Sequence, residues 1–283
     1  MGRDNPALFI YKARMSIENA LLELRRLDDL AAQETPLHRL DARAKVLVTA
    51  LYLVSMLSLG HYEVSRLLPF AAYPLLLATL GNVPLGMLLR RAALALPFVL
   101  VVGIFNPLLD RAVLLHFGPL AVTGGMLSFT SIVLRSLMAV TTGLALVAVT
   151  GFDDICRALG RMGMPRVFLV QLQFLYRYIF VLAGEATRMM HARSLRCARA
   201  TSPSLREYRS LLGSLLLRTL DRAGRVHQAM LCRGFDGGMP EFRTKTRFGA
   251  GEWRFCLVWC LFFIAIRIYD LPLLLGSLAG GLF

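Results

Sequence analysis

The sequence has 283 residues, 56% of them hydrophobic, with 32 basic against 18 acidic residues and a formal charge of +14. Charged residues make up 18%, against roughly 25% in soluble domains, and the apolar residues fall into blocks about one bilayer long, which excludes an ordinary soluble domain. The basic residues gather between those blocks, so the positive-inside bias accounts for the isoelectric point of 10.3 and no nucleic-acid partner is expected.

In chain order, Ile17, Leu21, Leu24, Leu27 and Ala31 recur every three or four residues and predict an amphipathic helix over 13–32, lying on a membrane surface or a partner, or else solvated. The first forty residues show no signal-peptide pattern, so internal apolar segments are expected to direct insertion. After Thr35-Pro36 and a polar run come four apolar blocks: Val46–Leu59 (extended by Ala42 and Ala44), Leu67–Leu80, Ala92–Leu109 and Met126–Thr150. Arg90-Arg91 falls between the second and third blocks, Asn106-Pro107 marks a kink or the end of the third, and 110–125 reads as a turn-rich connection containing Gly118-Pro119 and Gly124-Gly125. A last apolar helix runs from Phe255 to about Tyr269.

Charge decides the topology. Arg39, Arg43 and Lys45 before the first span place the N-terminus inside. The block Val167–Gly184 is apolar enough to span, but a crossing there would put the thirteen basic residues from Arg188 to Arg247 outside, so it is expected to stay inside. The segment Gly151–Gly251, with seventeen basic and seven acidic residues, then forms a cytoplasmic unit. It holds a short helix from Asp153 to Met162, stopped by Gly163 and Pro165, a long one from Arg166 to about Arg199, and a second long one. That one starts at the capping box Ser204-Leu205-Arg206-Glu207 and ends at Gly234. The predicted fold is all-α: about five transmembrane helices plus two long amphipathic helices and one short one. The predicted segments are 1–41, an amphipathic cytoplasmic stretch, 42–150, spans one to four, 151–251, the cytoplasmic helices, 252–272, the last span, and 273–283, a tail.

Catalytic signatures are scarce. Gly is nowhere followed by Lys, so there is no Walker A loop; there is no Gly-x-Ser-x-Gly or HExxH, and the five histidines stand apart. Cys156, Cys197, Cys232, Cys256 and Cys260 form no CxxC pair. No cofactor and no resident metal are expected, and a self-sufficient metal channel lacks an intramembrane His, Asp or Glu cluster. A membrane-embedded enzyme using Asp153-Asp154 or Arg135 is the competing class, although Asp153-Asp154 also suits a helix N-cap. Arg135, nine residues into the fourth span, is expected to face the protein interior and have a partner. Two near-repeats end the long helices: Ala192-Arg193-Ser194 and Cys232-Arg233-Gly234. Small neighbours leave a guanidinium unshielded, able to pair with a partner's carboxylate, and two equivalent plugs suit a dimeric partner. Ordinary helix-end cations favoured by the macrodipole are the simpler account.

These features together resemble the transmembrane T component of energy-coupling-factor (ECF) transporters, and within it the CbiQ-like proteins. The resemblance rests on Leu40-Asp41-Ala42-Arg43-Ala44-Lys45, Arg135, Thr150-Gly151-Phe152-Asp153-Asp154-Ile155, Gly163-Met164-Pro165, Tyr176-Arg177-Tyr178-Ile179 and the paired arginine motifs. It covers about His38 to Asp270. It implies a multi-pass protein of a prokaryotic plasma membrane, not itself an enzyme, that joins two cytoplasmic ABC-type ATPases to a membrane substrate-binding subunit. It also implies that Arg193 and Arg233 are the ATPase contacts, within motifs usually written Ala-Arg-Gly; here Ser194 replaces Gly and Cys232 replaces Ala, both small. CbiQ-like proteins imply cobalt or nickel uptake with a CbiM-like subunit, and a vitamin-type substrate is the alternative.

Overall fold

A computed structural model of the chain describes residues 22, 25–33, 35–60, 64–104, 113–117, 120–196, 204–237 and 249–268. The expected N-terminal amphipathic helix therefore lies mostly outside the described residues, as do Asn106-Pro107, Gly118-Pro119 and the tail. The described residues fall into two compact units, those of Asp28–Ala158 with Lys245–Phe283, and those of Met1–Leu27 with Leu159–Thr244.

The first of these units is a bundle around one helix. Helix α1 (Ala42–Leu57) begins where the Asp41 carboxylate accepts the Arg43 backbone N–H at 3.0 Å. Next come α2 (Val64–Leu67), a 3₁₀ turn (Leu68–Ala71) and α3 (Ala72–Leu80). Then follow α4 (Leu85–Ala92), a second 3₁₀ turn (Ala93–Ala95) and α5 (Leu96–Gly103). The two 3₁₀ turns sit at Pro69 and just before Pro97, where the missing proline N–H breaks the α-helical ladder. Between α3 and α4, Asn82 takes φ +53° and Val83 N–H reaches back to the Ala78 carbonyl at 2.9 Å, a left-handed helix stop followed by Pro84. The helix restarts at Leu85, so Arg90 and Arg91 occupy the last turn of α4 and not a loop, a correction to the boundaries read from hydropathy. Pro84 before the first turn is the local reason, because its fixed φ suits a helix entry.

An antiparallel hairpin, β1 (Val113–Phe117) with β2 (Leu120–Thr123), fills the region expected to be turns, pairing Phe117 with Leu120. Gly124-Gly125, also expected in that connection, are instead the first residues of α6 (Gly124–Thr150). At 27 residues it is about 40 Å long, and α1 to α5 all pack on it. Its buried seam runs Ser128, Ser131, Arg135, Met138, Thr142, Ala145, Val149, alternating three and four residues apart. Mostly small side chains on that seam let neighbouring helices approach closely, which drives helix association where lipid cancels the hydrophobic term. The Thr142 hydroxyl donates to the Met138 carbonyl at 2.7 Å, so the buried oxygen is satisfied within its own helix.

Arg135 is the one ionised member of the seam. Its Nη1 donates to the Leu59 carbonyl at 3.0 Å and its Nη2 to the Gly60 carbonyl. The guanidinium thus caps carbonyls just beyond the end of α1, which supplies the partner that the sequence did not identify.

The last helix, α10 (Ala250–Ile268), packs on α1 through an aromatic cluster. Tyr73 lies 4.9 Å from Tyr52 and 4.6 Å, edge-on, from Trp259 between ring centroids, while Phe263 stacks on Phe70 at 5.8 Å. The Tyr73 hydroxyl meets the Thr49 hydroxyl at 2.7 Å. Outward from this core Leu47, Val54, Leu76, Phe98, Val101, Leu257 and Leu261 stand exposed, a surface suited to acyl chains.

In the other unit α7 (Phe152–Arg161), which straddles the unit boundary, leads to α8 (Arg166–Arg196) and α9 (Leu205–Leu231). The stop after α7 is encoded by Gly163 at φ +104°, with Met164 N–H bonded to the Leu159 carbonyl at 3.1 Å, and Pro165 follows. Asp153 and Asp154 lie in the first turn of α7 and not at its N-cap, where their charge suits the positive end of the helix dipole. Residues 197–199, expected to end α8, lie outside the described residues.

Three described helical stretches are long and apolar enough to cross a membrane: Leu85–Gly103, Gly124–Thr150 and Arg166–Arg196; Val64–Leu80 is apolar but shorter. The 16 residues of α1 rise about 24 Å against a hydrocarbon core of ~30 Å. Helix α10 carries Glu252 and Arg254 near one end and Arg267 near the other. The chain is an α-helical membrane protein, with the hairpin its departure from helix among the described residues.

Two outcomes follow from this bundle. Arg135→Met strips both donors from the carbonyls after α1, at about 1–3 kcal/mol per unsatisfied group, so the melting midpoint of the detergent-solubilised protein should fall. Arg135→Lys, lacking a planar fork, should restore part of the loss, whereas an unshifted midpoint in Arg135→Met would rule out the cap. Before α1, neutral His38 accepts from the Thr35 hydroxyl at 2.6 Å on Nδ1 and donates from Nε2 to the Leu30 carbonyl at 3.1 Å. Burial first, and the Lys45 charge second, hold its pKa below the ordinary 6.5, while the bond to Leu30 works the other way. With the folded pKa below the unfolded one, its contribution is present above pH 6.5 and lost as pH falls through the folded value. His38→Gln should flatten the decline in melting midpoint between pH 7 and 5; an equal decline in both proteins would contradict this.

Candidate coupling site

The two long helices α8 and α9 pack against each other, yet α8 buries none of its residues. Polar ties take the place of a core. Glu185 of α8 accepts from Arg188 on the same helix at 2.7 Å and from Arg218 of α9 at 3.1 Å. Both arginines hold its carboxyl below the usual carboxylate range, chiefly through these hydrogen bonds. Farther along α8, Arg193 Nη2 donates to Glu207, near the start of α9. That glutamate also closes the capping box foreseen from sequence: its Oε2 accepts the Ser204 N–H at 2.8 Å, while Glu207 N–H donates to the Ser204 hydroxyl at 3.4 Å.

The two arginine motifs are not equivalent. Ala192-Arg193-Ser194 lies wholly within α8, where the Ser194 hydroxyl bonds back to the His191 carbonyl at 2.7 Å. The Arg193 side chain is 16% exposed and is taken by Glu207, so it is not the unshielded guanidinium that small neighbours suggest. Cys232-Arg233-Gly234 instead forms the turn that ends α9. There Phe235 N–H donates to the Met230 carbonyl and Gly234 N–H to the Leu231 carbonyl, both at 3.0 Å, with Gly234 at φ +79°. This is a Schellman stop, which favours glycine at its left-handed position. It also accounts for the contrast in sequence, since Ser194 sits in ordinary helix and needs no such freedom. Among the described residues Arg233 makes no side-chain hydrogen bond or ion pair, and it is exposed.

The competing chemistry finds less support. Asp154 is paired with Arg157 one turn on, and no group of three His, Cys, Asp or Glu gathers among the described residues. Arg135 belongs to the other unit, as the cap after α1. Sequence reasoning missed Glu185 and Glu207 as the acids that tie α8 to α9. The capping-box pattern singled out Glu207, but only for its local role.

A family model described as CbiQ, cobalt transport protein, matches residues 33–246. An uncharacterized protein of Methanocaldococcus jannaschii is 27% identical over 211 residues, covering 71% of this chain and 72% of its own. The energy-coupling factor transporter transmembrane protein EcfT of Heliobacterium modesticaldum is 30% identical over 232 residues, 76% of this chain and 84% of that protein. The cobalt transport protein CbiQ of Rhodobacter capsulatus is 32% identical over 101 residues, 35% and 41% of the two chains. The family match runs from the polar stretch before α1 to beyond the Schellman turn after α9, and on that ground the chain belongs to the CbiQ/EcfT family, the transmembrane T components of ECF transporters.

Proposed function

We propose that this T component passes conformational work from two cytoplasmic ATPases to a membrane-embedded substrate-binding subunit, with cobalt or nickel as the cargo. The observation that carries the reading is the α8–α9 pair: two long helices joined by ion pairs, with Arg193 near the end of one and Arg233 at the end of the other. Separation of the two halves of an ATPase dimer would shift those ends relative to each other, and stiff helices carry such a shift as a rigid-body motion. Hydrolysis then belongs to the partners. The cargo assignment follows the cobalt named for the family and for the R. capsulatus relative. A T component serving a vitamin-type subunit is the second reading.

Arg233→Glu should abolish ATP-dependent cobalt uptake in proteoliposomes holding the assembled transporter and weaken co-purification of the ATPases by about tenfold or more, since charged hydrogen bonds contribute about 1.5–3 kcal/mol. Arg193→Glu should do the same and also loosen α8 from α9, because it faces Glu207 with a like charge. Uptake at the parent rate in the double variant would refute the assignment. With a vitamin-type cargo, uptake of the vitamin and not of cobalt would be lost.

This reading places α8, α9 and the turn at Cys232 on the cytoplasmic side of a prokaryotic plasma membrane, although α8 meets the length and composition of a span. The exposed Cys232 thiol offers a direct check. In a variant retaining Cys232 as its single cysteine, a membrane-impermeant maleimide should label inside-out vesicles and leave intact cells unlabelled. Labelling of intact cells would reverse the orientation.

A further inference from the structure

Between α8 and α9, beside the crossing at Glu185, lies an open groove of about 540 Å³, lined by Leu182 and Glu185 from α8 and by Arg218, Arg222, Arg225 and Val226 among the residues of α9. Its size is that of a small-ligand pocket, roughly 300–1,000 Å³. Its charge is unbalanced. Three guanidiniums, fixed in the charged state, line it at spacings of four and three, so Arg218–Arg222 and Arg222–Arg225 are like-charge neighbours that cost a helix stability. The one acid in the wall, Glu185, already accepts from Arg188 and Arg218. Among the described residues Arg222 and Arg225 make no side-chain hydrogen bond or ion pair, and neither does Asp221, which lies on α9 but does not line the groove. A helix that keeps a repulsive row facing a cavity breaks a local rule, and such breaks concentrate at functional positions.

We infer that this groove is a binding site for a phosphate-bearing anion, clasped by Arg222 and Arg225 with Arg218 behind them. The guanidinium fork matches phosphate oxygens two at a time. Leu182 and Val226 give the groove an apolar wall that a free phosphate would leave bare and that the glycerol backbone of a lipid would cover, which favours an anionic phospholipid headgroup. A basic amphipathic element in a membrane protein meets such headgroups at high local concentration. The site shares the Glu185–Arg218 tie with the proposed coupling pair, but its test reads Arg222 and Arg225, which belong to neither arginine motif, so the two readings fail separately.

The test uses the full-length protein in neutral detergent, with the melting midpoint followed as phosphatidylglycerol, phosphatidylcholine or sodium pyrophosphate is added. Phosphatidylglycerol should raise the midpoint, since a ligand of the folded state stabilises it, and phosphatidylcholine should not. In Arg222→Gln/Arg225→Gln, two exposed substitutions outside any core, the concentration needed for half the effect should rise about tenfold or more, the loss expected for removing charged hydrogen bonds. A response to pyrophosphate that the variant loses, with no response to phosphatidylglycerol, supports the phosphate site and assigns it to a soluble ligand. Equal responses of parent and variant to both anions overturn the proposal. Equal responses accompanied by weaker co-purification of the ATPases would give the groove to an acidic protein surface, which overturns it as well.

Discussion

Glu185 is the only acidic residue on α8, and with Glu207 of α9 it carries the ion pairs that join the two long helices. A carboxylate shared between Arg188 and Arg218 ties α8, which buries none of its residues, to α9. Ion pairs bathed in water are weak and weaken further with salt. The crossing is therefore adjustable, whereas the bundle around α6 is not, because its seam is close-packed and alternates three and four residues for six turns. One unit is close-packed and the other is tied by ion pairs. Interfaces held by a few ion pairs can switch between arrangements, while packed cores resist deformation.

The two arginine motifs illustrate how similar letters acquire different geometry. One lies in continuous helix with its guanidinium held by Glu207; the other closes a helix with its guanidinium open to solvent. A partner with two equal sockets would meet unequal plugs, and the first would exchange one carboxylate for another on docking.

What was legible in the sequence was what short stretches encode. Ser204 and Glu207 form their capping box because both bonds are made within four residues, and Gly163 with Pro165 stops α7 for equally local reasons. Membrane character followed from block composition. The hairpin strands at 113–117 and 120–123 were hidden because the glycines and proline around them look the same in an irregular loop, and the start of α4 was missed because hydropathy placed the boundary after Arg90-Arg91 while Pro84 placed it before. The aromatic cluster of Tyr52, Tyr73 and Phe263 joins positions about two hundred residues apart, and the carbonyls that receive Arg135 lie 76 and 75 residues earlier. Pattern within a window says that such groups must be satisfied; it does not say where.

That last separation sets an order of events during synthesis. A ribosome adding roughly 5–20 residues per second exposes the end of α1 on the order of ten seconds before Arg135 emerges. Through that interval the Leu59 and Gly60 carbonyls lack that partner. When α6 arrives, its guanidinium supplies the donors those carbonyls lacked. The end of α1 is thus completed by a residue made much later, and a chain cut short before α6 would leave that cap unmade.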